Sequence, residues 1–155
     1  MECGLGHLDA DYVTELVHRL GSIPRERVPA WGVLRRDTLL EHLIWSVNHA
    51  MGRSARVPYA GNWVMSNVVG PLALRGWLPL NATAGLPASL RAQGIEGREP
   101  GDLETLHALL EEYLALVQAD ELTPAPHPRF GHLGIDGWDR LHVRHFEHHL
   151  RQFGA

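Results

Sequence analysis

Six of the chain's 11 histidines fall between His127 and His149. Imidazole is the side chain that both ligates divalent metals and exchanges protons near neutral pH, so such a cluster needs a chemical or structural reason. His145 and His149 are spaced i,i+4. On a helix, one turn brings both rings to the same side, close enough to share an ion. Read as a helix at about 100° per residue, Trp138 to Phe153 sorts into two halves. Trp138, Leu141, His142, His145, Phe146, His149, Leu150, Gln152 and Phe153 fall in one half. Arg144, Glu147, His148 and Arg151 fall in the other, with Glu147–Arg151 as a favourable i,i+4 surface pair. His142, His145 and His149 are therefore expected to face a protein interior, flanked by aromatics.

The spacing resembles the HExxH helix of the zincins, but that chemistry needs a glutamate after the first histidine, and Phe146 stands there. Two readings stay open for the buried stripe. Either the rings ligate a metal ion, or they are satisfied core histidines bonded to carbonyls and carboxylates. The second becomes costly for three rings at once, since each brings two nitrogens that need partners. A third metal ligand has to come from another helix. His42 and His49, i,i+7 apart, lie on one stripe with Thr38, Trp45 and Ser46. For His49, beside the helix end at Gly52, a half-exposed position favoured by the helix C-terminus is the plainer expectation.

Three neutral imidazoles would leave a cation its full charge and an open position, which is the catalytic pattern rather than the structural one. A bound water would become a source of hydroxide near neutral pH, and a bound thiol a source of thiolate. Zinc is the default ion, and nickel, iron or copper suit the same ligands. His142 and His127 are the acid/base candidates near the ion. His127, set between Pro126 and Pro128, reads more simply as an exposed linker residue.

The elements that must position these groups are helices. Leu8, Tyr12, Val13, Leu16, Val17 and Leu20 predict a first helix over roughly Asp9 to Leu20, stopped by Gly21. Leu39, Leu40, Leu43, Ile44, Val47 and Ala50 predict a second from about Arg35 to Met51. An almost wholly apolar segment, 62–77, reads as a short buried helix broken at Gly70-Pro71. Residues 78–101, rich in Gly, Pro, Asn and Ala, read as a crossover or a functional flap. Asp102 caps a further helix to about Ala119, Pro124, Pro126 and Pro128 stiffen a linker, and Asp136 caps the last helix. The expectation is a single all-α domain over residues 1–155, a four-helix bundle with a long crossover connection.

Composition narrows the partners. A formal charge of −4 and a single adjacent basic pair, Arg35-Arg36, exclude a phosphate-tracking surface, so no nucleic acid is expected. The most apolar stretch, Asn62 to Leu80, is interrupted by Asn67, Gly70-Pro71 and Arg75, so no membrane span is expected either. The lone Cys3 excludes a disulfide framework and a cysteine zinc site. With no leader-like N-terminus, it suits a reducing, cytoplasmic setting. All 14 cationic side chains are Arg, a usage that suits a GC-rich genome. The expected partner is a small-molecule substrate, and a homodimer is compatible with the chain.

The stretch His145-Phe-Glu-His-His-Leu-Arg-Gln152 resembles the HDxHHxxQ signature that closes the DinB-like (YfiT-like) superfamily of metalloenzymes. His127-Pro-Arg-Phe-Gly-His-Leu133, Trp138 and Leu141-His142 resemble one branch of that group. So do Trp31, followed eleven residues later by His42-Leu43, and Val69-Gly70-Pro71 to Leu78. The resemblance implies a four-helix bundle with a long crossover. It also implies one divalent ion held by His42, His145 and His149. Phe146 departs from the signature's Asp, whereas Gln152 matches. Some members of the superfamily use low-molecular-weight thiols such as mycothiol, bacillithiol or glutathione. The expected function is thus a metal-dependent enzyme acting on a small molecule, with thiol S-transfer as its leading reaction class. The alternatives are thiol-independent metal-assisted hydrolysis or isomerisation, and a non-catalytic bundle that binds a metal or small ligand.

Overall fold

The computed structural model describes residues 7–53, 67–68, 71–72, 98–127 and 130–155. Within them lie four helices: α1 (Ala10–Ser22), α2 (Arg36–Ala50), α3 (Leu103–Gln118) and α4 (Gly134–Gln152). Helix α1 starts where the Asp9 carboxylate accepts from Tyr12 N–H at 2.8 Å, satisfying one of the free amides of the first turn. Gly21 does not stop it. The helix runs on through Ser22, and a Cβ at Gly21 would come within 3.2 Å of Leu103, so this glycine permits the close approach of α3. Helix α3 opens with the expected cap at Asp102. The Asp102 carboxylate accepts from Thr105 N–H, and the Thr105 hydroxyl accepts in return from Asp102 N–H, closing a capping box.

Helix α4 departs from expectation at its start. It begins at Gly134, whose φ of +67° suits glycine, and Leu133 is the N-terminal flanking residue with no side-chain cap. Asp136 lies inside the first turn, where its charge complements the helix dipole instead of capping it.

Helices α3 and α4 each pack against both α1 and α2, making an all-α four-helix bundle. One continuous core runs through it, with Leu16 and Leu20 from α1, Leu43 and Val47 from α2, Leu110 from α3 and Phe146 from α4. Burying each such side chain contributes roughly 1.5–3 kcal/mol. Helix α2 is enclosed more completely than its apolar stripe alone requires, because His42, Ser46 and His49 are buried as well. The expected apolar helix over 62–77 and the crossover 78–101 fall almost wholly outside the described residues, of which 67–68 and 71–72 are helical. Among the described residues no helix is long and apolar enough to cross a membrane.

Side chains fix how α4 lies against its neighbours. Arg19 of α1 grips both carboxylate oxygens of Glu147, at 2.9 and 3.3 Å, and Tyr12 donates to the same carboxylate at 3.1 Å. The expected Glu147–Arg151 pair is therefore replaced. Arg151 bonds the backbone oxygen of Glu147 at 3.2 Å, while the carboxylate turns to the better-matched guanidinium fork of α1. Tyr113 of α3 donates to the buried Asp139 of α4 at 2.7 Å. Ahead of α4, Ala125 links α2 and α4: its N–H donates to Ala50 O at 2.9 Å, and its carbonyl accepts from Trp138 Nε1 at 2.8 Å.

Candidate metal centre

Three imidazole nitrogens converge between α2 and α4. His42 Nε2 and His145 Nε2 stand 2.9 Å apart, as do His149 Nε2 and His145 Nε2. Each of the three residues offers a nitrogen within 4.8 Å of the others. His42 and His149 are buried, each with 8% of its surface exposed, and His145 is half-buried between them. Two rings one turn apart on α4 face a single ring on α2, which is the juxtaposition the i,i+4 spacing called for.

Burial, followed by the neighbouring imidazoles, holds His145 well below the usual histidine range. Burial, with His42 as the next cause, pushes His149 down to about 3. Both rings are thus neutral at physiological pH, the state in which a ring nitrogen can donate to a cation. His149 is held further from outside the cluster: Gln152 Oε1 stands 2.7 Å from its Nδ1. With Nδ1–H committed to that oxygen, Nε2 is a lone pair directed at His145. Any proton on His145 Nε2 can then serve only one of the two nitrogens that face it along a linear bond. A cation at the common point would answer all three nitrogens at once. Tetrahedral zinc with Zn–N of about 2.0–2.1 Å spaces its ligand nitrogens by roughly 3.4 Å, so modest spreading of the rings would suffice. The three-histidine group could hold a metal ion.

The other expected site residues lie nearby but outside this group. His142 is 1% exposed, with Trp138, Tyr113 and Phe146 ring centroids 5.3–5.7 Å away. Burial pushes it down to about 3, and among the described residues its Nε2 has no hydrogen-bond partner. His127 is half-buried rather than exposed. Its Nδ1 accepts from Phe130 N–H at 3.1 Å, and its ring stacks on Phe130 and tilts against Trp138. His49 is not half-exposed either: packing against Trp45 and Trp138 leaves 7% of it accessible. Burial lowers its pKa, opposed by a hydrogen bond with the Pro126 backbone, and its ring stays outside the three-nitrogen group.

Sequence reasoning missed two groups beside the centre. His148, assigned to the solvated half of α4, is half-buried with its ring edge-on to His149 and to Trp31. The other is the connector before α2, where Gln152 Nε2 donates to Trp31 O at 2.8 Å and Ala30 N–H donates to Gln152 O at 2.7 Å. The available signals were Trp31 as part of a motif and the i,i+3 spacing of His149 and Gln152, which shows that the amide can reach the ring but not what holds its far end.

In comparisons with known proteins, no curated protein and no solved structure matches the chain. A family model described as "Protein of unknown function (DUF1569)" matches residues 8–155, nearly the whole length and all of the centre. The chain belongs to the DUF1569 family.

Proposed function

We propose that this protein is a DinB-like metalloenzyme that acts on a small molecule at one divalent ion held by His42, His145 and His149. The observation that carries the reading is the convergence of three imidazole nitrogens from two helices, with 2.9 Å between His145 and each of its partners. The resemblance of residues 145–152 to the superfamily's closing signature supports the same ligand set. Zinc is the expected ion, and nickel or iron suits the same three nitrogens.

The leading reaction class is S-transfer from a low-molecular-weight thiol, for which mycothiol is the first candidate given the Arg-only usage of the chain. A bound divalent ion supplies the Lewis acidity that lowers the pKa of a thiol or water at its open position. The chain's own residues do the rest. Gln152 orients His149, and the acid/base role falls to His127 rather than to His142, whose buried ring takes up no proton near neutral pH. No carboxylate belongs to the three-residue group, so the ligands leave the ion's charge undiminished for an anionic thiolate.

The test is titration of the cobalt-substituted protein with mycothiol, bacillithiol and glutathione. A sulfur-to-cobalt charge-transfer band with one of them is expected. If no band appears with any of the three in demonstrably loaded protein, thiol transfer is overturned, and thiol-independent hydrolysis, isomerisation or simple binding takes its place.

A further inference from the structure

We infer that the Trp31-Gly32 bend in the connector between α1 and α2 is a positioning element of the histidine cluster, acting through the Gln152 amide. The chain of reasoning starts at a group with no choice. A backbone carbonyl can only accept, so the atom of Gln152 that meets Trp31 O at 2.8 Å must be its NH₂. The amide oxygen therefore faces His149 Nδ1, at 2.7 Å. An amide oxygen also only accepts, so Nδ1 must carry the ring proton, and Nε2 presents its lone pair to His145 and His42. With the amide reversed, its NH₂ would meet Nδ1, the ring proton would move to Nε2, and an N–H would point into the cluster where a cation must bind. The Trp31 carbonyl is what separates these two states.

Gly32 makes the approach possible. Its φ is +78°, and a Cβ there would lie 2.9 Å from Gln152 Nε2. The same stretch is clamped to α4 by the bond from Ala30 N–H to Gln152 O at 2.7 Å and by the edge-on contact of Trp31 with His148. The connector is anchored to the core at its two ends by Ile23 and Leu34, and between them Val28 and Val33 are 76% and 86% exposed. The contact with Gln152 thus attaches the middle of a largely exposed segment to the residue that orients a cluster histidine.

The affinity arm of the test rests on the metal reading above, and the proton arm does not. Asparagine is the non-glycine residue that best tolerates left-handed backbone, so Gly32→Asn keeps the bend but drives a Cβ toward the amide. Nitrogen-15 NMR of the metal-free protein should show His149 protonated at Nδ1 in the wild type. In Gly32→Asn, and in Gln152→Leu, the proton should be shared with or moved to Nε2, at unchanged helicity. Zinc affinity should fall about 10-fold in Gly32→Asn and roughly 10–100-fold in Gln152→Leu, the range seen when an orienting partner is lost. In a Gln152→Glu background the carboxylate accepts from Nδ1–H without help from Trp31, so adding Gly32→Asn should cost nothing further. A wild-type His149 protonated at Nε2, or a folded Gly32→Asn with wild-type ring protonation and affinity, overturns the inference. Failure of the wild type to bind zinc strikes the metal reading alone, and the NMR result still decides this one.

Discussion

Replacing His145 by alanine should weaken zinc binding by roughly 10²–10³-fold. An apparent 10–16 kcal/mol for a structural zinc site, shared among four ligands, gives about 2.5–4 kcal/mol per ligand at ~1.4 kcal/mol per decade. His145 is the critical position, because its Nε2 lies 2.9 Å from both of its partners. His42→Ala should produce a loss of the same order, since His42 is the group's one ligand from α2. His49→Ala is the informative control. That ring is equally buried on the same helix, but it packs on Trp45 and Trp138 outside the three-nitrogen group, so affinity should be largely retained. Competition titration against a chromophoric chelator measures all three variants. An inverted pattern, with His49 essential and His42 dispensable, would overturn the ligand assignment.

The metal-free protein should be strongly acid-labile. His142 and His149 are pushed down to about 3 in the folded state, chiefly by burial, against about 6.5 when unfolded. Below pH ~6.5 the unfolded chain therefore binds protons that the folded chain refuses, and stability falls as pH falls until the folded values are reached. At pH 4.5 each of these two rings costs on the order of 3 kcal/mol, a sizeable part of a typical domain stability of about 5–15 kcal/mol. His145 and His49 are lowered as well and act in the same direction. Denaturant midpoints measured from pH 7.5 to 4.5 should drop steeply without metal, and His142→Leu should flatten the slope. Zinc should raise stability at neutral pH and lose that effect in acid, because protons compete for the ring nitrogens. A midpoint independent of pH over this range would contradict the buried, neutral state of these histidines.

How far the sequence could be read follows from what helical periodicity encodes. It gives the angle of a residue about its own helix axis, and that sufficed for the bundle, for the Asp102 cap and for the inward placement of His145 and His149. It does not say what stands opposite. Glu147 was correctly kept out of the core, yet its partner is Arg19 from a distant helix rather than the neighbouring Arg151. His49 was read as half-exposed beside the Gly52 helix end and His148 as part of the solvated half of α4, whereas two tryptophans bury the first and Trp31 of the connector packs on the second. Gly21 and Asp136 carry the usual composition of a stop and a cap, but α3 needs a small residue at the first, and Gly134 starts α4 ahead of the second. The choice of His42 over His49 came from the family resemblance and not from spacing, which put both on one stripe. Trp31 was legible as part of a motif but not as a contact, because its partner, Gln152, lies at the far end of the chain.

The most direct measurement is a crystal structure of the full chain grown with zinc, with anomalous scattering recorded at the zinc edge. One ion per chain should appear, about 2.0–2.1 Å from a ring nitrogen of each of His42, His145 and His149. Zinc-saturated protein with no peak within bonding distance of His145 and His149, or with its ion held by other residues, would contradict the metal centre itself.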